Sequence, residues 1–233
     1  MSFLVYNVTL RKGGGGVPTQ TFFNLPKTKR QRLITAGLTV FSHASLDQAA
    51  VSDIVRLAEI SRGSFYQYFA DKTDLYFYLL SQMREDWVAR TEGTLRRHQG
   101  DLFAAARELS VAGFKEVIAG PQKDFFRTLF TGFNYRGTAK MDEDWTRRYR
   151  AEHRPSTNWS GMVDAKRLNV ANEEQLLTLV HMLFGIFAQN VARYFTHAAT
   201  APRRTADQYM SNMLLMIDWL QYGVEKQNAQ EES

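Results

Sequence analysis

An all-α fold in two parts is what this sequence predicts: an N-terminal three-helix unit built on a helix-turn-helix, then a larger C-terminal helical domain. Three observations carry that expectation. From Pro26 onward apolar residues return every three or four positions, the spacing of one helix face. No stretch of any length alternates apolar and polar residues as a strand does, and no internal repeat appears. Breaks at Gly100-Asp101, Gly120-Pro121 and Gly137-Thr138 divide the chain at helical lengths.

Residues 1–25 read as a flexible N-terminal arm, because Gly13-Gly14-Gly15-Gly16 favours flexibility over packing. Two uses of the arm stay open: a plain tether, or a minor-groove arm acting through Arg11 and Lys12. Residues 26–72 form the helix-turn-helix unit. Leu33, Ile34, Gly37, Leu38 and Phe41 make the inner face of its first helix, while Lys27, Lys29, Arg30 and Arg32 crowd the N-terminal end. Cations there oppose the helix dipole, a conflict that phosphates would relieve. Val51, Ile54, Val55 and Ala58 mark the second helix, Glu59-Ile60 the break, and Ser61 the cap of the third. Such a third helix enters the major groove N-terminus first, directing Ser61, Arg62, Gly63 and Ser64 toward DNA and turning Phe65 inward.

Asp71 can cap the next helix, along which Leu75, Leu79, Met83 and Trp87 repeat every four residues and link the two domains. The second domain covers 73–227, with further helices expected over 101–119, 121–136, 140–152, 173–197 and 205–226, a long loop over 154–172, and a disordered tail at 228–233.

The segment from Pro26 to Leu75 resembles the DNA-binding domain of the tetracycline-repressor-like (TetR) family of bacterial regulators. The resemblance rests on Lys29-Arg30-Gln31-Arg32-Leu33-Ile34, Phe41, Val51-Ser52-Asp53-Ile54, Ser61-Arg62-Gly63-Ser64-Phe65-Tyr66, Tyr68-Phe69, Asp71-Lys72 and Leu75. It implies that the remaining helices bind a ligand and dimerise. Pro18 to Leu25 is similar to the start of some members, which places an alternative natural start near Val17. The chain departs from the family pattern twice. Ala50 stands where a capping Thr is usual, with Ser52 the nearest hydroxyl to compensate. Glu59 stands where Gly commonly takes a left-handed backbone, and it brings an anion near the DNA.

Charge agrees with this division. Residues 1–72 hold nine Lys/Arg against four Asp/Glu, so the whole net charge of +5 lies in that third of the 233-residue chain. A phosphate backbone is the partner that suits it. The absence of cysteine removes disulfides and thiolate zinc sites and fits a reducing, cytoplasmic setting. No unbroken apolar run approaches the roughly 18 residues that span a bilayer, so no membrane partner is expected. His43, His98, His153, His181 and His197 never fall at metal-ligand spacing, and no Gly-x-Ser-x-Gly or strand-borne Gly-x-Gly-x-x-Gly occurs. Neither catalytic residues nor a metal or cofactor is expected. Asp142-Glu143-Asp144 suits a helix start better than a metal, and His181 suits a hydrogen-bonded core or interface position better than a ligand contact.

In the second domain Phe126, Phe130, Phe133 and Asn134 share one helix face, an apolar wall with few polar groups of the kind a small-molecule pocket needs. The last two helices are apolar on more than one side, so Phe184, Phe187, Val191, Met213 and Ile217 are expected at a homodimer interface. For DNA, Arg62 is the expected base contact, commonly to guanine; Ser61, Gly63, Ser64, Tyr66 and Tyr68 approach bases or phosphates; Lys29, Arg30 and Lys72 meet phosphates. Tyr66 and Tyr68 also suit packing roles. The sequence thus reads as a ligand-responsive transcriptional regulator, a repressor, acting as a homodimer on a palindromic double-stranded operator with an unidentified small-molecule effector. A helical enzyme or carrier with an incidental basic domain is the alternative.

Overall fold

The computed structural model describes residues 18–132, 159–200 and 204–224, and all regular structure among them is helical. The arm over 1–17 with Arg11 and Lys12, the helix expected at 140–152, Asp142-Glu143-Asp144, the pocket residues Phe133 and Asn134, and the tail at 228–233 lie outside the described residues.

The flexible arm cannot extend to residue 25. Gln20–Phe23 is a short helix, α1, whose Phe22 is fully buried against Phe69 and Tyr78, with ring centroids at 5.0 and 5.2 Å. Composition hid this, because one large aromatic anchors a segment that otherwise looks like linker. Helix α2 (Lys27–His43) follows Pro26 and buries Leu33, Ala36, Val40 and Phe41. Helices α3 (Val51–Ala58) and α4 (Arg62–Tyr68) complete the helix-turn-helix, with Ile54 and Phe65 buried between them. The α3 N-cap, Ala50, makes no side-chain cap.

Asp71 caps α5 (Lys72–Arg97) by accepting a 3.0 Å hydrogen bond from the Asp74 amide. At its far end Gln99 and Gly100 turn the chain with positive φ. A side chain on Gly100 would come within 2.7 Å of the Asp164 amide nitrogen, so only glycine fits. Helices α6 (Leu102–Ala119) and α7 (Lys123–Gly132) fall where the glycine breaks place them. The long loop expected over 154–172 is more structured than that in its described part: α8 (Trp159–Met162), a buried Val163 and a 3-10 turn at Ala165–Arg167. Helices α9 (Glu173–Thr200) and α10 (Ala206–Tyr222) close the domain, α10 with a capping box between Thr205 and Gln208.

By length and composition the Glu173–His197 part of α9 could cross a membrane. Its Leu176, Val180, Leu183, Phe187 and Val191 are instead buried against neighbouring helices.

Two apolar clusters hold the described residues together. One runs without a gap from Phe22, Leu33 and Phe65 in the N-terminal unit through Leu75 and Leu79 to Phe125, Phe187 and Met213. The other, around Leu95, Leu102, Phe103, Leu176, Leu183 and Ile217, fills the far end. The N-terminal unit therefore shares a core with the second domain. Gly37 permits the contact: a Cβ there would lie 3.0 Å from Leu75 and 3.1 Å from Leu79, so α2 and α5 approach at glycine distance. Across the same junction Phe41 meets Tyr76 at 5.0 Å, Tyr76 meets Phe125 at 5.8 Å, and Thr128 Oγ1 donates a 3.0 Å hydrogen bond to the Ser42 carbonyl. Burial in this aromatic junction pushes the Tyr76 phenol far above its ordinary pKa, so it stays neutral.

Candidate functional site

The second helix of the helix-turn-helix, α4, is short, and its ends are fixed from outside. At the start Ser61 Oγ accepts the Ser64 amide at 3.0 Å and lies 2.8 Å from Ser64 Oγ, satisfying one of the free donors of the first turn. At the end Thr19 donates twice, from its amide to the Tyr68 carbonyl at 3.0 Å and from Oγ1 to the Gln67 carbonyl at 2.7 Å. Sequence reasoning missed Thr19, because nothing local marks a residue that caps a helix about fifty positions later.

The outward face carries Arg62, Gly63 and Tyr66, with Ser61 exposed at the cap and Ser64 half-buried. Tyr66 is 47% exposed, and the Arg62 guanidinium rests 5.8 Å above its ring with Nη2 donating to the phenol oxygen at 3.4 Å. This pair holds the cation at the helix start while leaving its other donors free. Tyr68 is only 9% exposed and packs near Phe22, so of its two expected roles packing is the one the fold gives it.

The cations expected at phosphates divide. Lys29 is exposed. Arg30 donates from Nη1 to the Phe23 carbonyl at 3.0 Å, tying α2 to α1. Arg32 is paired with Glu59, whose left-handed backbone (φ 53°, ψ 46°) ends α3 without glycine. That conformation disfavours a side chain by about 1–2 kcal/mol. The Arg32 partner also neutralises the anion at this turn. Lys72 is committed as well: Nζ donates to the Asp47 and Ala49 carbonyls, each at 2.8 Å, fastening the α2–α3 connection to the start of α5. Arg30 and Lys72 are therefore internal ties here, which residue type alone could not reveal.

In the second domain a cavity of about 180 Å³ opens among α5, α6, α7 and α9, at the seam between the two clusters. Phe126 and Phe130 line it as expected. So do Phe184 and Phe187, which sequence reasoning assigned to a dimer interface. Val191, Met213 and Ile217 are buried inside this chain's own core. All-round apolar helices need several buried sides, and here the chain supplies most of them itself. Among the described residues, the large apolar side chains left outside on these helices are Met182, Leu215, Trp219 and Tyr222. The α5 wall, including Met83 and Trp87, was legible only as a four-residue repeat. Trp87 is set by Gly113, where an added Cβ would fall 2.1 Å from its ring. His181 departs from the expected hydrogen-bonded role: its Nε2 is buried and has no partner among the described residues. Nor do those residues contain a cluster able to hold a metal.

If Lys72 is an internal tie, Lys72→Ala should lower the free energy of unfolding by about 1 kcal/mol in urea titrations. Unchanged stability with a flatter salt dependence of DNA binding would return it to the phosphate role.

Residues 33–79 match the family described as bacterial regulatory proteins, tetR family, and residues 101–224 match the tetracyclin repressor-like C-terminal domain. Over 47 residues the chain is 40% identical to the uncharacterized HTH-type transcriptional regulator YvdT of Bacillus subtilis, a match spanning 20% of this chain and only 24% of that protein. Among solved structures, it is similar to a TetR-family transcriptional regulator from Syntrophomonas wolfei (TM-score 0.58, 18% identity, 87% of this chain and 99% of that one). It is similar also to the transcriptional regulator FadR from Bacillus subtilis in complex with stearoyl-CoA (TM-score 0.54, 14% identity, 84% and 99%). These structural likenesses concern the fold. The family match over more than half of the sequence, on a helix-turn-helix fused to a helical domain, makes this chain a member of the TetR family of transcriptional regulators.

Proposed function

We propose that the protein is a cytoplasmic, ligand-responsive repressor that binds a palindromic double-stranded operator as a homodimer, with Arg62 reading a base and a small-molecule effector occupying the cavity. The observation that carries this reading is the continuous apolar core joining α4 to the cavity wall through Phe69, Leu75, Phe125 and Phe187. A ligand that favours one packing of that core changes the spacing of the reading helices, and only such differential affinity can switch operator binding. FadR was solved with stearoyl-CoA, a molecule with a long apolar tail, and the largely apolar cavity here is compatible with an effector that is at least partly apolar.

The homodimer draws support from the exposed face of α9 and α10. Trp219 is 48% and Tyr222 69% exposed, and Leu215 and Met182 are exposed as well, apolar surface that is costly in water and suited to a second copy. Two reading heads then meet successive major grooves about 34–36 Å apart.

Selection of bound sites from random duplexes, followed by titration, tests the DNA half. Arg62→Ala should weaken the selected site by about 1–3 kcal/mol and relax one position of each half-site. An unchanged sequence preference would move the reading surface elsewhere. For the dimer, Trp219→Glu should give a monomer in light scattering and lose cooperative operator occupancy. A variant that stays dimeric, or a monomer that fills the palindrome at wild-type affinity, would contradict the two-headed mechanism.

A further inference from the structure

The cavity is long. Its α5 wall runs from Leu80 to Leu95 and its α6 wall from Leu102 to Val117. At 1.5 Å per residue each wall is about 22 Å long. A volume of about 180 Å³ distributed along such walls makes a slot suited to a chain better than a chamber suited to a fused ring system. The described lining contains no Asp, Glu, Lys, Arg or His. An ionised group inside would lie desolvated with no counter-charge among those residues, which is strongly unfavourable.

Two hydroxyls interrupt the apolar lining. Thr91 Oγ1 is engaged, donating to the Trp87 carbonyl at 2.8 Å. Ser110 differs: it is 8% exposed, lines the cavity, and has no side-chain hydrogen bond among the described residues. A helical serine commonly bonds back to the carbonyl one turn earlier; Ser110 does not, which leaves its hydroxyl open to the cavity. Along α6 it stands eight residues from Leu102 and seven from Val117, so about 12 and 10 Å of wall extend on either side.

We infer that the cavity takes an uncharged, elongated apolar molecule whose single hydrogen-bonding oxygen sits near the middle of its length, an internal ketone, ester or ether, held there by the Ser110 hydroxyl. This deepens the effector reading of the cavity and rests on it. Specificity follows from both halves of the site. The apolar slot rejects ionised chain ends, and an unsatisfied Ser110 discriminates against chains whose oxygen lies at the wrong place.

Isothermal titration of the full-length protein with 8-pentadecanone, 2-pentadecanone and pentadecanoate tests the assignment. With its carbonyl at Ser110 the internal ketone fits both arms of the slot, whereas the tail of the terminal ketone overruns the longer one. The internal ketone should therefore bind about five- to tenfold more tightly than the terminal one, the size of one net hydrogen bond, and pentadecanoate should not bind in the cavity. Ser110→Ala should erase the difference between the ketones while leaving 2-pentadecanone unchanged, and Ser110→Thr should restore it, with circular dichroism establishing that both variants fold. Failure of both ketones to bind, equal affinities in the wild type, a preference that survives Ser110→Ala, or tighter binding of pentadecanoate would each overturn the proposal. Operator titration separates it from the reading beneath. Ser110-dependent ketone binding without any change in operator affinity would leave the ligand class standing and remove the effector role. Release of operator by pentadecanoate but not by 8-pentadecanone would do the reverse.

Discussion

The packing of α2 against α5 and α7 is the constraint on which the rest of this protein depends. A reading helix of seven residues is too short to be stable alone, so α4 exists because Phe65 and Phe69 are anchored in a core it does not own. That core reaches the cavity because Gly37 lets Leu75 and Leu79 approach α2, and because Phe41, Tyr76 and Phe125 stack across three helices. Packed interiors have few voids and do not deform smoothly, which is how the proposed effector would act on α2. Thr128 adds a directional tie from α7 to the end of α2, alongside the α5 connection.

Most of the fold was legible because helical periodicity and caps are local. Ser61 and Asp71 cap the helices they were expected to cap, and the glycine breaks separate α5, α6 and α7. Legibility ended where a long-range contact outweighed composition. Residues 18–25 look like linker, yet Phe22 is buried and Thr19 closes α4, because three-dimensional proximity to Tyr68 and Tyr78 is invisible in a chain read in order. The αL position of Glu59 was anticipated from the family pattern, whereas its pairing with Arg32 was not.

The functional surfaces divide along the same line. Arg62, Gly63 and Tyr66 are exposed on α4, and Phe126 and Phe130 line the cavity, because helix phase alone sets those directions. Cations were harder, since Lys72 and Arg30 meet backbone carbonyls that no sequence pattern announces. Four of the five residues expected at an interface are buried within this chain instead, for a quantitative reason. The apolar sides of α9 and α10 were read as exceeding what one chain could cover, but α5, α6 and α7 cover Phe187, Val191, Met213 and Ile217, leaving the Leu215 and Trp219 side outside.

Helix α4 and the cavity wall belong to one continuous core. Native-state hydrogen exchange in Phe125→Ala, a truncation in α7 far along the chain from the reading helix, tests it most directly. The slowest amides of α2 and α4 should lose protection together with those of α5 and α7, by an amount equal to the loss in global stability, about 3–5 kcal/mol for such a truncation. Amides of α2 and α4 that kept wild-type protection while α7 weakened would mean two independent domains and no shared core.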